Sequence, residues 1–329
     1  MARNERIEII KEIEKLRDSK VFTYLTSDRP NASSQMQKDI LPIFVNQLGN
    51  NQYKNIDLFI FTHGGDIITA FGLSRLFREY SNNIGTLIPD CCHSAGTLFA
   101  LGSKEIIMTK GATLSPIDPS ISRPLNPAVQ LNPQTPPQII PLSVESVAGY
   151  LSLVTKEWHA DKNALLSILA QKVHPLSLGD VYRTRQQIEM LATELLKQHR
   201  NDNKKIKKIV NTLSKKLGSH DYLIYPTEAY NLLGSQINKT SKVENLIWDL
   251  YTDYIKEMEL GIPYDPSILL AQQPSMPRFS NATQILAIIE STNKIDKAIR
   301  KVKISEMQVQ TQMGIMNQII EETVYAGWQ

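Results

Sequence analysis

A serine and a pair of glycines are the residues of this chain best suited to carry out chemistry. Ser94 stands directly before Ala95 and Gly96, where an apolar run gives way to small residues. Such a sharp strand-to-helix turn exposes a hydroxyl and lets backbone N–H groups approach a substrate closely. Gly64 and Gly65 follow the preceding apolar run. Their amides, with that of Ala95, are typical of an oxyanion hole, so the pattern indicates acyl transfer with Ser94 as nucleophile.

Both loops follow short apolar runs that we interpret as parallel strands. Strands are predicted over residues 21–26, 57–62, 84–89 and 105–108, and helices over residues 3–18, 34–48, the stretch that ends at Tyr80, and 95–102. This alternation of strand, tight turn and helix favours an α/β fold with a parallel sheet and flanking helices. Functional loops in such folds lie beyond the carboxyl ends of the strands. We therefore expect Ser94 and the glycine pair to lie close together.

The rest of the chain is predicted to be mostly helical. Residues 124–141 hold six of the 17 prolines and are predicted to form a long surface loop or lid. Helices are expected over residues 143–171, 178–199 and 203–217, followed by a strand-like piece over 221–225. Residues 282–323 carry apolar residues near a heptad spacing, at Val302, Val309, Met313, Met316 and Ile320. That spacing predicts long helices that pair with another subunit or protein, or pack on their own domain.

These patterns predict three segments. Residues 1–50 lead into the core, residues 51–240 form it, and residues 241–329 form a helical extension that mediates oligomerisation. The composition, 42% hydrophobic and 21% charged, is that of an ordinary globular protein. A net charge of +3 is too small to predict a nucleic-acid partner.

The cysteines and the absence of apolar segments bear on compartment and cofactors. Cys91 and Cys92, the only two cysteines, are adjacent and form no long-loop disulfide framework, so a reducing compartment is expected. No Cys/His spacing is typical of a zinc site, so neither a metal nor a cofactor is predicted. The N-terminus has no apolar leader, and no apolar run approaches 18 residues. We therefore predict a cytoplasmic protein without a membrane partner.

The longer motifs around Ser94 resemble those of a known family. Residues 88–102 read IPDCCHSAGTLFALG and residues 116–119 read PIDP, which is similar to the core of the serine dehydrogenase proteinase family in the Clp-peptidase and crotonase superfamily. Two later motifs also resemble it, HPLSLG at 174–179 and SHDY at 219–222. The resemblance implies a crotonase-like spiral core and a homo-oligomeric serine peptidase acting on polypeptides. It also implies Ser94 as nucleophile.

The resemblance leaves the general base open. Related Clp peptidases have a histidine about two dozen residues after the serine, whereas Asp118 stands 24 residues after Ser94 here. A histidine that titrates near neutrality suits the task best. We expect His220 to be the base and Asp118 to orient it, although Asp118 is equally suited to a turn in which it binds backbone amides.

Other residues stay open as the base or its partner. His174 begins a helix and suits a structural role as well, Asp221 follows a candidate base, and His93 stands where the family has a lysine. A serine–lysine dyad would need a desolvated lysine, for which Lys110 and Lys172 are available.

Two further functions compete with the peptidase. In a catalytically inactive scaffold, Ser94 would only cap a helix. In a crotonase-type acyl-CoA enzyme, the glycine-framed oxyanion hole would act without Ser94.

Overall fold

The computed structural model describes residues 3–118, 120–130, 132, 136–159, 161–238, 242–271, 277–311 and 314–329. Pro119 of the PIDP motif, residues 131 and 133–135 of the proline-rich loop, and Met313 lie outside the described residues. The chain forms two compact units. Unit 1 contains Met1–Thr113 and Tyr225–Gln329, and unit 2 contains Leu114–Ile224. The three-segment division made from the sequence stays a prediction.

The first part of unit 1 alternates strands and helices. Its elements are α1 (Arg3–Arg17), β1 (Lys20–Thr26), α2 (Ile40–Leu48), β2 (Ile56–Phe61), α3 (Ile67–Tyr80), β3 (Ile84–Ile88), β4 (Cys91–Cys92), α4 (Ala95–Leu101) and β5 (Glu105–Met108). A short strand, β6 (Thr113–Leu114), begins at the last residue of this part and ends at the first residue of unit 2. The four strands and four helices predicted here from apolar runs and turn residues are confirmed, with ends that differ by a few residues.

Unit 2 is mostly helical. Its short strands are β7 (Ser120–Ile121), β8 (Ala128–Val129), β9 (Gln138–Ile139) and β10 (Leu142–Ser143), and its helices are α5 (Val144–Ser152), α6 (Lys162–Lys172), α7 (Pro175–Lys197) and α8 (Asn203–Asn211). Single π-helical turns follow α5 and α8. The strand expected over 221–225 is reduced to one bridge between Leu114 and Ile224.

The second part of unit 1 completes its sheet. Its elements are α9 (Pro226–Leu233), a 3₁₀ turn (Gly234–Gln236), β11 (Ile237–Asn238), α10 (Glu244–Met258), α11 (Pro266–Ala271), β12 (Arg278–Glu290), β13 (Ile295–Thr311) and β14 (Gly314–Trp328). The eight strands run in the order β11-β5-β3-β2-β1-β12-β13-β14. The first five are parallel to one another, β12 pairs antiparallel with β1, and β13 and β14 continue the sheet antiparallel. The α/β class is confirmed, whereas the spiral core stays a prediction.

Helices cover both faces of the parallel strands because each strand is apolar on both sides. On one face, Phe22 of β1 packs with Phe77 of α3 and Phe99 of α4 joins the same aromatic stack, with ring centroids 5.9 and 6.0 Å apart. On the other face, Val21 lies in a cluster with Ile10 of α1 and Leu250 of α10. Adjacent residues of one strand thus enter opposite cores. None of the described helices is long and apolar enough to cross a membrane.

A buried charge cluster joins α1 to α10 and β12. Arg6 Nη1 donates to Asp253 Oδ2 at 2.6 Å, and Arg6 Nε donates to Glu290 Oε2 at 2.7 Å. The Tyr254 hydroxyl also donates to Glu290 Oε2, at 2.7 Å. Arg6 is 2% exposed and Glu290 is fully buried. Since buried charges are tolerated only when they are paired, the cluster depends on each of its members.

The prediction of a helical C-terminal extension is wrong beyond α11. Residues 282–323 lie in the long antiparallel strands β12, β13 and β14, so this segment has no described helix that could pair with a partner. Val302 and Ile304 are both buried, as expected where every second side chain faces the core. Val302 and Val309 are seven residues apart and hence point to opposite faces of a strand. The seven-residue spacing therefore does not mark one face of a strand, and the β-branched residues of this segment are the signal that favoured strands.

Candidate active site

Ser94 occupies a tight turn between β4 and α4. Its backbone has φ 50° and ψ −108°, and the Gly96 amide donates to the His93 carbonyl at 2.8 Å, closing the turn. These angles are near those of the first central residue of a type II′ turn, a position that glycine dominates. A serine held there is strained, by about 1–3 kcal/mol. Strain of this kind at a residue with a reactive side chain points to a functional constraint.

The Ser94 side chain does not cap α4. It precedes the helix, yet it makes no side-chain cap hydrogen bond, and it is half-buried. Asp66 at the start of α3 shows the contrast, because its carboxylate accepts from the amides of Ile68 and Thr69. The capping role that the scaffold hypothesis required of Ser94 is therefore not observed.

The glycine pair lies against the Ser94 turn and against Met36. A Cβ atom on Gly64, whose φ is 110°, would meet Ser94 Cβ at 2.8 Å. A Cβ atom on Gly65, whose φ is 140°, would meet the Met36 carbonyl oxygen at 2.3 Å. The Met36 amide donates to the Gly64 carbonyl at 2.8 Å, which aligns the loop. Both positions thus need glycine for space as well as for backbone angle.

Two amides of these loops have no hydrogen-bond acceptor among the described residues. Within the described part of the chain, neither the Gly65 N–H nor the Ala95 N–H donates a hydrogen bond to a protein atom. The neighbouring Gly64 N–H donates to Thr62 Oγ1 at 3.1 Å and is thus already satisfied. Chemically, Gly65 and Ala95 can offer donors to a developing oxyanion, whereas Gly64 serves the shape of the loop.

His220 and Asp118 form a pair within unit 2. His220 Nδ1 lies 3.0 Å from Asp118 Oδ1, the Asp118 side chain is 7% exposed, and that of His220 is 43% exposed. The hydrogen bond to Asp118 raises the pKa of His220 above its ordinary value. With Nδ1–H donated to the carboxylate, the lone pair of the imidazole is on Nε2, the arrangement of a general base with its orienting acid. The catalytic role of the pair stays a prediction.

The other candidates have local roles or exposed positions. His174 Nδ1 accepts a hydrogen bond from the Leu176 amide at 3.2 Å and caps α7, which is the structural role considered for it from the sequence. His93 Nε2 lies 2.8 Å from Thr113 Oγ1. Asp221 is exposed, and its amide donates to Ser219 Oγ. Lys110 and Lys172 are exposed as well, whereas a serine–lysine dyad needs a desolvated lysine.

Sequence reasoning missed a cluster of His63, Cys91 and His93. One ligand atom from each of these side chains lies within 4.8 Å of the others, an arrangement able to hold a metal ion. His63 and Cys91 are 28 residues apart, far from any familiar zinc spacing. The available signal was their position at the ends of two predicted neighbouring strands.

Comparison with known proteins supports the same class for part of the chain. Residues 45–134 match the family model described as ClpP-like SDH-type serine proteinase, which confirms the resemblance seen in the motifs. The match includes Gly65, Ser94 and Asp118 but ends before His220.

Two curated relatives come from Methanocaldococcus jannaschii. The uncharacterized protein MJ0137 is 33% identical over 76 residues, which are 23% of this chain and 27% of the relative. The uncharacterized protein MJ1495 is 37% identical over 68 residues, which are 21% of this chain and 23% of the relative. The chain thus spans about a quarter of the length of each relative.

Proposed function

We propose that this protein is a serine peptidase in which Ser94 attacks the carbonyl carbon of a peptide bond. The strained backbone of Ser94 at a strand-to-helix turn is the observation that carries the proposal. Non-glycine residues held in such conformations cluster at active sites, because the surrounding structure maintains them against their cost. The family match over residues 45–134 supports the same class of enzyme.

The chemistry divides into two acyl-transfer steps. In the first, Ser94 Oγ attacks while a general base takes its proton, and His220, oriented by Asp118 through Nδ1–H, is the histidine predicted for that role. The amides of Gly65 and Ala95 stabilise the oxyanion, and the imidazolium then protonates the leaving amine. In the second step a water attacks the acyl-enzyme with His220 again as base, which releases the acid and restores Ser94. The polypeptide substrate, homo-oligomeric assembly and cytoplasmic location are parts of this proposal.

A fluorophosphonate probe tests the nucleophile directly. The probe should label the native chain and fail to label Ser94→Ala, because the phosphonylated atom is Ser94 Oγ. Ser143→Ala is the matched control, since Ser143 precedes a helix with an ordinary φ of −72° and accepts a capping hydrogen bond from the Ser146 amide. This control should label like the native chain. A folded Ser94→Ala variant that still labels would refute the assignment of the nucleophile.

Hydrolysis of an unstructured, fluorophore-labelled polypeptide tests the peptidase. Native chain should cleave it, and Ser94→Ala should reduce cleavage by orders of magnitude. Assays at several protein concentrations and after size separation sample each assembly state. Absence of both labelling and cleavage in every assembly state would refute the peptidase and favour the scaffold.

A further inference from the structure

Three metal-binding side chains converge at the carboxyl ends of two neighbouring strands of unit 1. His63 follows β2, Cys91 begins β4, and His93 follows β4. The Thr62 amide donates to the Cys91 carbonyl at 3.0 Å, and the His93 amide donates to the Thr62 carbonyl at 2.9 Å. These backbone bonds align the two segments. His63 is therefore held beside Cys91 and His93 by the sheet itself.

The ligand atoms are close to the spacing that a tetrahedral ion requires. Cys91 Sγ lies 3.4 Å from His63 Nε2, and the three ligand atoms are mutually within 4.8 Å. Tetrahedral Zn²⁺ with one thiolate and two imidazoles places its ligand atoms about 3.3–3.6 Å apart. Small rotations of the imidazole rings would close the remaining difference. Cys91 is buried, with 5% of its surface exposed, whereas the His63 side chain is 48% exposed and gives an ion access to the cluster.

The surroundings of the cluster also suit a cation. Asp28 Oδ2 lies 3.3 Å from His63 Nε2, and Asp28 Oδ1 is buried without a hydrogen-bond partner among the described residues. A buried carboxylate oxygen without a donor is costly unless positive charge is nearby. His93 is oriented by its bond to Thr113 Oγ1, as metal-binding histidines commonly are by a second group.

We propose that His63, Cys91 and His93 bind Zn²⁺, with Asp28 supplying compensating negative charge. A thiolate and two imidazoles favour zinc over Mg²⁺ or Ca²⁺, which prefer oxygen ligands. The ion would join the loop that contains Gly64 and Gly65 to the turn that contains Ser94, since His63 and His93 directly precede these residues. Zinc would therefore stabilise the arrangement of both loops.

Cobalt provides a readout that is independent of enzyme activity. Tag-free full-length protein is stripped of metal with a chelator and titrated with Co²⁺, and Zn²⁺ is then added in competition. We expect stoichiometric binding, a thiolate-to-cobalt charge-transfer band in the near ultraviolet, and displacement by Zn²⁺. Zinc should also raise the melting temperature in proportion to the logarithm of its free concentration once the site is saturated.

Variants locate the site. Cys91→Ala should abolish the charge-transfer band, and His63→Gln or His93→Gln should weaken binding by more than the roughly 10–100-fold expected for an outer-shell partner. Cys92→Ala is the matched control, a neighbouring buried thiol outside the cluster, and should retain the band. His63→Gln guards against misfolding, because the His63 side chain is half-exposed. Far-ultraviolet circular dichroism should be unchanged in each variant.

Three results would overturn the proposal. They are no stoichiometric Co²⁺ binding to the native chain, binding without a thiolate band, and binding of native strength in folded His63→Gln. Ser94→Ala should bind metal like the native chain, so failure of the zinc site and failure of the peptidase are separately observable.

Discussion

Replacing Ser94 by glycine should stabilise the fold while it removes the nucleophile. The relevant comparison is between Ser94→Gly and Ser94→Ala, since both lack the hydroxyl and only alanine keeps a Cβ atom. At φ 50° and ψ −108° a Cβ atom is strained, whereas glycine adopts these angles readily. A residue selected only for folding would therefore be glycine at this position.

The magnitude follows from two opposing terms. Relief of the backbone strain contributes about 1–3 kcal/mol to stability. The greater freedom of glycine in the unfolded chain costs about 0.4–1 kcal/mol. With mid-range values of about 2 and about 0.7 kcal/mol, Ser94→Gly should thus have a free energy of unfolding about 1.3 kcal/mol higher than that of Ser94→Ala.

Urea unfolding at one protein concentration measures this difference, with equal m-values as the check that the same transition is compared. Lys11, exposed in α1 of the same unit, is the control position. There, glycine should be less stable than alanine by about 1 kcal/mol, because a helix interior favours alanine. If Ser94→Gly is no more stable than Ser94→Ala while the Lys11 pair behaves as stated, the backbone of Ser94 is not strained and the central argument for a nucleophile fails.

Two further predictions concern buried charge and pH. Arg6→Ala should lower the free energy of unfolding by about 3 kcal/mol, because it removes the buried cation that Asp253 and Glu290 share and leaves Glu290 only the partly exposed Arg3 as a cation. Asp118→Asn should shift the rise of the labelling rate to lower pH, because Asp118 raises the pKa of His220, and a base acts only when neutral. The raised pKa of His220 stabilises the folded state at pH values below the unfolded pKa of about 6.5. This contribution is lost as the pH rises through the folded pKa. Asp118→Asn should therefore lower the free energy of unfolding most at low pH.

Each of these predictions has a contrary outcome. Lys11→Ala, which breaks an exposed ion pair with Glu8, should lower the free energy of unfolding by less than about 1 kcal/mol. If Arg6→Ala lowers it by no more than this, the buried cluster does not contribute net stability. For the pH profile, Asp221→Asn is the comparison, because Asp221 raises the pKa of His220 by its charge alone, without the hydrogen bond that makes Asp118 the larger cause, so its midpoint should shift less than that of Asp118→Asn. An Asp118→Asn profile with an unchanged midpoint would show that His220 is not the group that titrates in the labelling reaction.

The α/β class and the Ser94 turn were determined by local sequence. Apolar runs of four to six residues bounded by turn residues predicted β1, β2, β3 and β5. The prediction was possible because strands buried on both faces consist of contiguous apolar residues. Gly64, Gly65 and the small residues after Ser94 predicted the loops, since the backbone angles and close approaches there exclude larger side chains.

The C-terminal strands could not be assigned from local pattern alone. The spacing of the apolar residues in this segment is compatible with both a strand and a helix. The strand conformation of β12 is determined by the strands with which it pairs. Thr23 of β1 pairs with Glu290, which lies 267 residues later in the chain, and the same glutamate accepts a hydrogen bond from Arg6 of α1. The stability of such a strand comes from contacts with segments that are distant in sequence, and a local sequence pattern does not show these contacts.

The side-chain constellations also belong to the tertiary structure. His220 meets Asp118 across a separation of 102 residues, and His63 meets Cys91 across 28. Residue types together with the family resemblance nominated the first pair and missed the second, because the register between strand ends determines that His63 and Cys91 meet. The Thr62 and Cys92 bridge decides that register for His63 and Cys91. The sequence by itself determined a serine on a sharp turn beside two glycines, and the alignment of β2 with the segment after β3 decided that His63, Cys91 and His93 lie together and that the serine is strained.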